Sequence, residues 1–254
     1  MLRRLLDTRA VGSLEEVREL FLSDEENPFI RYRRLFHSYW TARAAGVDIV
    51  APPPVVEKAL HEIGIAFFFA PLFHPAMKHA IGPRREIGIR TVFNILGPLS
   101  NPVGAHAQVL GVYDAELTET MARVLGELGS TSAYVVHGLD GLDEITLTTR
   151  TKVSALRDGS VETFHISPED LGLELCEPEA LQGGSARENA ETMRALFSGK
   201  KGPVRDVVLL NAAATLVVAG EAAGLEEGLE DAAAAVDSGA ALEKLEGLIR
   251  ITHG

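Results

Sequence analysis

The sequence has 254 residues, of which 46% are hydrophobic and 24% charged, as expected for a globular protein with one large domain. The formal net charge of −12 argues against nonspecific binding to nucleic acid, which requires a net basic surface. No apolar run is long enough to span a bilayer, and the single cysteine, Cys176, excludes an internal disulfide framework. We therefore expect a cytoplasmic protein that does not enter a membrane.

Residues 1–45 form a predicted N-terminal helical segment. Ser13 and Glu16 have capping-box spacing, and a second amphipathic helix with basic and aromatic residues ends at Gly46. In an acidic chain this helix is more typical of packing on a partner surface than of nucleic-acid binding. Its run NPFIRYRRLFHSYWTARAAG resembles the opening of threonine-synthase-like enzymes that use pyridoxal phosphate. No lysine follows in a matching context, so that cofactor is not expected.

From Gly46 onward the pattern alternates between helices and strands. A helix is predicted at 55–63, a strand or buried segment at 65–69, and a strand at 107–113. A helix capped by Asp114 and a strand over SAYVVHG follow, and this order predicts a parallel crossover. Further short strands are predicted at EITLTT, TKVSALRDG and SVETFHIS, with a turn at Asp158-Gly159 between the last two.

The last third of the sequence is predicted to be helical. One helix is capped by Ser185, the next opens at Pro203, and two more follow within residues 224–250. Alanine-rich faces in this region favour close helix packing over a sheet. The predicted class is therefore α/β, with a mixed, mainly parallel sheet flanked by helices, in a domain spanning residues 46–254 behind the small helical segment.

A basic stretch stands out in this acidic chain between residues 67 and 102. Glu86 is the only acidic residue between Glu62 and Asp114, whereas four residues there are basic: Lys78, Arg84, Arg85 and Arg90. This concentration of positive charge indicates an anion-binding site. A solvated basic loop is the alternative, although flanking apolar residues favour a packed wall.

Three blocks of this stretch, HPAMKH, RRE-x-G-x-RT and FN-x-LGPL-x-NP, resemble the anthranilate phosphoribosyltransferase family in order and spacing. The resemblance runs from about Gly46 nearly to the end of the chain. It implies a nucleoside phosphorylase/phosphoribosyltransferase-like fold and transfer of a phosphoribosyl group from phosphoribosyl pyrophosphate (PRPP) to anthranilate in tryptophan biosynthesis. Nucleoside-phosphorylase-type enzymes share the fold, but the HPAMKH and LGPL-x-NP blocks favour the anthranilate branch.

The resemblance implies three substrate-binding residues in these blocks. Arg84 occupies the position of the family's anthranilate-binding arginine, whose planar fork suits a carboxylate. His74 lines the acceptor region, and Pro98 forms an apolar wall there. Without the resemblance, a core histidine at position 74 and a surface ion pair of Arg84 with Glu86 remain open. No residue is assigned a catalytic role.

A second candidate site is the segment HGLDGLDEIT, residues 137–146. The predicted strand before it places Asp143 and Glu144 beyond a strand's carboxyl end, where open α/β sheets bind ligands. Adjacent carboxylates beside a pyrophosphate can hold Mg²⁺, although such a pair alone is more typical of a solvated turn. The family uses the matching pair for metal, so the resemblance implies that Asp143 and Glu144 bind Mg²⁺.

Two later segments are given no chemistry. GGSARENA, residues 183–190, is interpreted as a plain turn into a capped helix, although a helix N-terminus can bind phosphate. Asn211 and the alanines that follow it match a late helix of the family and are interpreted as packing residues.

The part of the family that binds PRPP has no counterpart in this sequence. The family carries a Gly-Thr-Gly-Gly-Asp loop, a Lys-His-Gly-Asn segment and a Ser-rich helix entrance, and none of these occurs before Gly46. We therefore expect little or no transferase activity from this chain, and the alternative is a non-catalytic truncated or chimeric remnant that keeps the anthranilate-side scaffold. The family pairs through N-terminal helices, which implies a homodimer, although this chain carries different residues there.

Overall fold

The computed structural model describes residues 38–73, Leu99 and residues 105–254. These residues form two compact units. The first contains residues 38–73, 182–195 and 240–254, and the second contains Leu99 and residues 105–181 and 196–239. The predicted domain boundary between residues 45 and 46 stays a prediction, and the helix predicted after Ser13 lies outside the described residues.

The described elements follow one another in an α/β order. The helices are α1 (Ser38–Ala44), α2 (Pro53–Ile63), the single turn α3 (Ala70–Phe73), α4 (Leu117–Glu127), α5 (Ala186–Phe197), α6 (Pro203–Ala219), α7 (Leu225–Asp237) and α8 (Ala240–His253). The strands are β1 (Ala107–Gly111), β2 (Ser132–Gly138), β3 (Thr151–Arg157) and β4 (Ser160–Ile166), and 3₁₀ turns lie at Pro168–Leu171 and Pro178–Leu181. Among the described helices, none is long and apolar enough to cross a bilayer.

The first unit is built around the packing of α2 against α8. Helix α2 opens with proline, which suits a first turn, and Gly64 ends it in a left-handed conformation with φ of 74°. This helix confirms the prediction at 55–63. Residues 65–69, predicted as a strand or a buried segment, are not a strand, because the segment is irregular; the buried alternative is confirmed at Phe69 but not at Ile65, which is exposed. Phe69 joins an apolar core with residues from α2 and α8, among them Ala59 and Leu248.

The second unit contains a sheet in the order β1-β2-β3-β4. Strands β1 and β2 are parallel and are joined through α4, as the predicted crossover requires. Strands β3 and β4 form a hairpin whose turn residues, Asp158 and Gly159, have φ of 48° and 80°. Positive φ at both positions is typical of the tight turns that reverse a chain between antiparallel strands. The predicted strands over TKVSALRDG and SVETFHIS and the turn between them are confirmed.

The α/β class, with helices flanking a mixed sheet, is confirmed. The described strands, however, make one parallel and two antiparallel pairs, rather than a mainly parallel set. The physical reason is the connections: a loop joins β2 to β3 and a tight turn joins β3 to β4, and only parallel neighbours need a long crossover.

Helix α4 covers one face of this sheet. Its Met121 and Leu125 pack with Leu110 of β1 and Val135 of β2 in a buried apolar cluster. The burial of such side chains is the main favourable term in folding. The four strands and α4 therefore form a packed support for the loops at the sheet edge.

Helix α6 packs against β1 and β2, and α7 packs against α6. A methyl group on Gly228 of α7 would lie 2.9 Å from Cα of Ala213 in α6, so the two helix backbones approach closely at this point. The predicted close packing of alanine-rich helix faces is confirmed here. Helix α6 therefore lies directly beside the parallel strand pair.

Candidate functional site

Asp143 and Glu144 lie in the loop that joins β2 to β3, residues 139–150. The two parallel strands end at the same edge of the sheet, β1 at Gly111 and β2 at Gly138. The loop leaves β2 at this carboxyl edge, and both acidic residues are exposed. This is the edge at which open α/β sheets bind ligands.

The loop is anchored immediately after the acidic pair. Ile145 and Thr146 are 0% exposed, and Leu147 is 1% exposed. Fully buried residues of this size lose packing contacts if they move, so they fix the chain that precedes them. Glu144 is therefore followed at once by a segment that belongs to the core.

Gly111, at the end of β1, leaves room for the loop backbone to approach the strand closely. A Cβ atom at this position would lie 1.6 Å from the carbonyl oxygen of Asp143, so only glycine fits. The peptide that follows Asp143 thus rests directly on the last residue of the strand. The backbone of the first carboxylate residue therefore lies against the end of β1.

Asn211 of α6 holds the next part of the loop. Its Nδ2 donates a hydrogen bond to the carbonyl oxygen of Ile145 at 2.8 Å, and its Oδ1 accepts one from the Ile145 amide at 3.0 Å. A second Nδ2 hydrogen bond goes to the carbonyl oxygen of Val207, one turn earlier in α6, at 2.9 Å. Both backbone groups of Ile145, the residue after Glu144, are therefore satisfied by one side chain.

Asp140 organises the inside of the loop. One carboxylate oxygen accepts a hydrogen bond from the Leu142 amide at 2.9 Å, and the other accepts bonds from the hydroxyls of Thr146 and Thr148 at 2.8 and 2.7 Å. Burial works to raise the pKa of Asp140, but the hydrogen bonds from Thr148, Leu142 and Thr146 outweigh it and hold the pKa below its ordinary value. The ionised carboxylate is therefore the form that this loop stabilises.

The strand predicted over EITLTT, residues 144–149, is wrong. Side chains make the backbone hydrogen bonds that a neighbouring strand would otherwise make. Asn211 pairs with Ile145, and the Thr151 hydroxyl accepts a hydrogen bond from the Thr146 amide at 3.0 Å. The Thr148 amide likewise donates to the Thr146 hydroxyl at 3.1 Å. The segment is a loop held by side chains rather than a strand of the sheet.

The loop after β1, at the same edge, is also fixed by side chains. Nδ1 of His137 lies 2.8 Å from the carbonyl oxygen of Val112, and Nζ of Lys152 donates to the carbonyl oxygen of Ala115 at 2.8 Å. A carbonyl only accepts, so Nδ1 is the protonated nitrogen of this buried histidine. His137 and Lys152 are paired across β2 and β3, so two neighbouring strands each contribute a side chain that binds the loop after β1.

The donor set fits Mg²⁺ shared with a substrate better than an ion enclosed by protein alone. Mg²⁺ keeps several waters and is commonly held by one or two carboxylates together with substrate phosphates. Asp143 and Glu144 supply two adjacent carboxylates at an exposed edge. Within residues 38–73 and 105–254, no group of three or more His, Cys, Asp or Glu residues is arranged to hold a metal ion.

The substrate-binding residues inferred from the resemblance, His74, Arg84 and Pro98, lie outside the described residues. The structure therefore places only Asp143 and Glu144 of the predicted site. Sequence reasoning missed the residues that hold this pair, namely Gly111, Asp140 and Asn211. The interpretation of Asn211 as a packing residue is incomplete, because its side-chain amide also makes two hydrogen bonds to the backbone of Ile145.

The GGSARENA segment is the capped helix start that the sequence predicts. The Ser185 hydroxyl accepts a hydrogen bond from the Glu188 amide at 3.3 Å, and the Glu188 carboxylate accepts one from the Ser185 amide at 2.7 Å. This reciprocal pair is a capping box at the start of α5.

Relatives of this chain share its sequence closely. It is 54% identical over 206 residues to the anthranilate phosphoribosyltransferase of Moorella thermoacetica, covering 81% of this chain and 61% of that protein. It is 55% identical over 208 residues to that of Geobacter sulfurreducens, covering 82% of this chain and 59% of that protein. The chain thus spans about three fifths of the length of these relatives.

Solved structures agree with the sequence comparison. The anthranilate phosphoribosyltransferase from Thermus thermophilus superposes with a TM-score of 0.80 at 42% identity, over 85% of this chain and 64% of that one. The Saccharomyces cerevisiae enzyme in complex with PRPP and Mg has a TM-score of 0.78 at 30% identity, over 85% of this chain and 62% of that one. The predicted resemblance to anthranilate phosphoribosyltransferases is thereby confirmed.

The family model described as "Glycosyl transferase family, a/b domain" matches residues 41–242. This match covers nearly all of the described residues, including both compact units and the loop with Asp143 and Glu144. The chain belongs to this glycosyl transferase family.

Proposed function

We propose that this chain serves the transfer of a phosphoribosyl group from PRPP to anthranilate, a step of tryptophan biosynthesis. The observation that carries the proposal is the fixed, exposed pair of Asp143 and Glu144 at the carboxyl edge of β1 and β2. The similarity to anthranilate phosphoribosyltransferases, at more than half of the aligned residues, supports the same activity.

The reaction needs positioning and electrostatic help more than acid–base chemistry. The amine nitrogen of anthranilate forms a bond to the anomeric carbon of PRPP, and the bond from that carbon to pyrophosphate breaks. Pyrophosphate leaves with the electron pair, and the amine gives up a proton. Mg²⁺, when bound, neutralises charge on the leaving pyrophosphate. In this proposal Asp143 and Glu144 hold the metal, and their fixed backbone reduces the cost of ordering the site.

The acceptor side is proposed to consist of Arg84, His74 and Pro98. The Arg84 guanidinium would bind the anthranilate carboxylate through two parallel hydrogen bonds. Charge reversal by Arg84→Glu is then expected to abolish anthranilate binding, measured by the change in anthranilate fluorescence. Arg187→Glu is the matched control, because Arg187 is an exposed residue of α5. Unchanged affinity in Arg84→Glu would remove Arg84 from the site.

A second candidate function is a scaffold that binds anthranilate without catalysing transfer. The observation in its favour is that the 254-residue sequence contains no Gly-Thr-Gly-Gly-Asp segment. Glycine-rich backbone is the usual way in which a fold holds pyrophosphate. Under this second candidate, the 254-residue chain alone would show little or no turnover.

The test that separates the two functions is the loss of anthranilate fluorescence on addition of PRPP and Mg²⁺. A steady PRPP-dependent decrease would show that the chain is a transferase. The double variant Asp143→Asn/Glu144→Gln should then lower the rate roughly 100-fold, since it removes charges that hold the metal. The control Glu169→Gln/Asp170→Asn makes the same charge change in another exposed acidic pair and should leave the rate unchanged. No decrease, with anthranilate still bound, would support the scaffold.

A homodimer and a cytoplasmic location also remain proposals. Light scattering of the purified chain would report a mass near twice 27.3 kDa for a dimer. A mass equal to that of one chain would contradict the dimer.

A further inference from the structure

We propose that Asn211 is a positioning residue for metal binding: its amide fixes the backbone on which Asp143 and Glu144 are carried. This inference rests on the proposed metal role of the two carboxylates. Helix α6 would then contribute to the site by positioning the two acidic residues through Asn211. Such positioning matters because metal affinity depends on where the ligands are held as well as on which residues they are.

The side-chain amide of Asn211 is oriented by a hydrogen bond within its own helix. Its Nδ2 donates to the Val207 carbonyl oxygen within α6, and this bond fixes which end of the amide is nitrogen and which is oxygen. Helix α6 itself is packed against β1 and β2. The side chain therefore presents one donor and one acceptor at a fixed place, matched to the carbonyl and the amide of Ile145.

Gly111 supplies the second point of the arrangement. The Asp143 carbonyl oxygen lies so near the Gly111 Cα that a Cβ atom there would be 1.6 Å from it. The Asp143 peptide thus lies against β1 where no larger residue would fit, and Ile145 is hydrogen-bonded to α6, with Glu144 between the two positions. Loss of the Asn211 hydrogen bonds would free the peptide groups beside both carboxylates.

A purely structural role is the competing explanation, and the chain contains a matched control for it. Asn189 of α5 pairs with both backbone groups of Gly184 in the same way, through Oδ1 at 2.8 Å and Nδ2 at 3.4 Å. Substitution of Asn189 removes the same kind of two-point contact, but from the GGSARENA turn instead of the loop with Asp143 and Glu144.

The experiment measures Mn²⁺ affinity of the 254-residue chain by electron paramagnetic resonance, with Mn²⁺ as a probe for Mg²⁺ because both prefer oxygen ligands. Each variant is measured below its own melting temperature. We expect Asn211→Ala to weaken Mn²⁺ binding about tenfold, as is typical when a partner that orients a metal ligand is lost. Asn189→Ala should leave the Mn²⁺ affinity unchanged, whatever its effect on melting.

Asn211→Asp provides a second variant if the alanine chain does not fold. It keeps an oxygen for the Ile145 amide and loses only the Nδ2 donors. A carboxylate would by itself attract a cation, so weaker Mn²⁺ binding in this variant would have to come from displacement of the loop. Asn211→Leu removes the hydrogen bonds to Ile145 without adding a charge, and Mn²⁺ binding in that variant as tight as in the wild type would overturn the inference.

Two further outcomes would also overturn it. Equal losses of Mn²⁺ affinity in Asn211→Ala and Asn189→Ala would mean that the effect is general loosening of the fold. Mn²⁺ binding that survives Asp143→Asn/Glu144→Gln unchanged would remove the metal role of the pair, and the positioning role with it. Because that last result is measured in the carboxylate variant alone, it tests the metal role of Asp143 and Glu144 separately from the positioning role of Asn211.

Discussion

The loop 139–150 and the turn at residues 183–189 use the same amide contact in two different settings. In the turn, Asn189 pairs with Gly184, five residues away, next to the capping box formed by Ser185 and Glu188. In the loop, Asn211 pairs with Ile145, 66 residues away. The local contact thus completes a helix start, whereas the long-range contact fixes a loop that carries candidate ligands.

The two regions also differ in what surrounds the amide. The hydrogen bonds described for the turn join residues of the turn itself, and the turn leads into a single helix, α5. The loop depends on hydrogen bonds from Asn211 of α6 and to Asp140, and on the room that Gly111 of β1 leaves for its backbone. Substitutions should therefore cost most in the loop, where several elements meet, and least in the turn, where the damage stays local.

The largest effect is expected from Gly111→Ala. The added Cβ would collide with the Asp143 carbonyl oxygen, a backbone atom that cannot rotate away. The loop or the end of β1 must move, at a cost of about 3 kcal/mol in the free energy of unfolding, the upper end of what overpacking typically costs. Urea denaturation followed by circular dichroism measures this loss.

Gly126→Ala in α4 is the control for that substitution. A Cβ there would lie 3.1 Å from Cδ1 of Leu156, so this buried side chain would have to shift by only a few tenths of an ångström. Alanine is also a better helix former than glycine, by up to about 1 kcal/mol. The control should thus be close to neutral. A comparable loss in both variants would show that the approach of Gly111 to Asp143 is not special.

An intermediate effect is expected from Asp140→Asn. The variant loses the ionised acceptor of the Thr146 and Thr148 hydroxyls, which should cost about 1 kcal/mol at neutral pH because the residue is exposed. The Asp140 pKa is lower in the folded state than its ordinary value of 3.8. The stability difference between wild type and variant should therefore be constant above that value and shrink as the pH falls below it.

Urea denaturation of both proteins at neutral pH and at acid pH tests the Asp140 prediction. A stability difference that persists undiminished well below pH 3.8 would contradict the assignment of this carboxylate as an ionised acceptor. A difference that grows as the pH falls would contradict the direction of the pKa shift.

The local parts of this fold could be predicted from the sequence. The SAYVVHG strand, the Asp158-Gly159 turn and the Ser185 cap each depend on residues within a short window, and each appears where its pattern indicates. The position of Asp143 and Glu144 after a strand was predictable for the same reason. Short windows encode strand ends, turns and caps because the deciding hydrogen bonds are local.

The long-range parts could not be predicted in this way. EITLTT has the composition of a strand, yet its backbone is paired by the side chains of Asn211 and Thr151. In the sequence Gly111 is indistinguishable from an ordinary strand glycine, whereas the structure shows the Asp143 peptide lying directly against it. A glycine within an apolar strand is a sign of close backbone approach, but the sequence does not name the partner.

The smallest effect is expected from Ser185→Ala, in the turn. The variant loses the hydroxyl that accepts the Glu188 amide at the start of α5, and loss of such a cap costs about 1 kcal/mol or less when its residue is exposed. Ser167→Ala is the matched control, because Ser167 precedes the Pro168–Leu171 turn without a side-chain cap hydrogen bond. Its unfolding free energy should stay within a few tenths of a kcal/mol of wild type. Mn²⁺ affinity should be unchanged in both, since the turn does not carry the carboxylates; a loss of affinity in Ser185→Ala would break the distinction between the two regions.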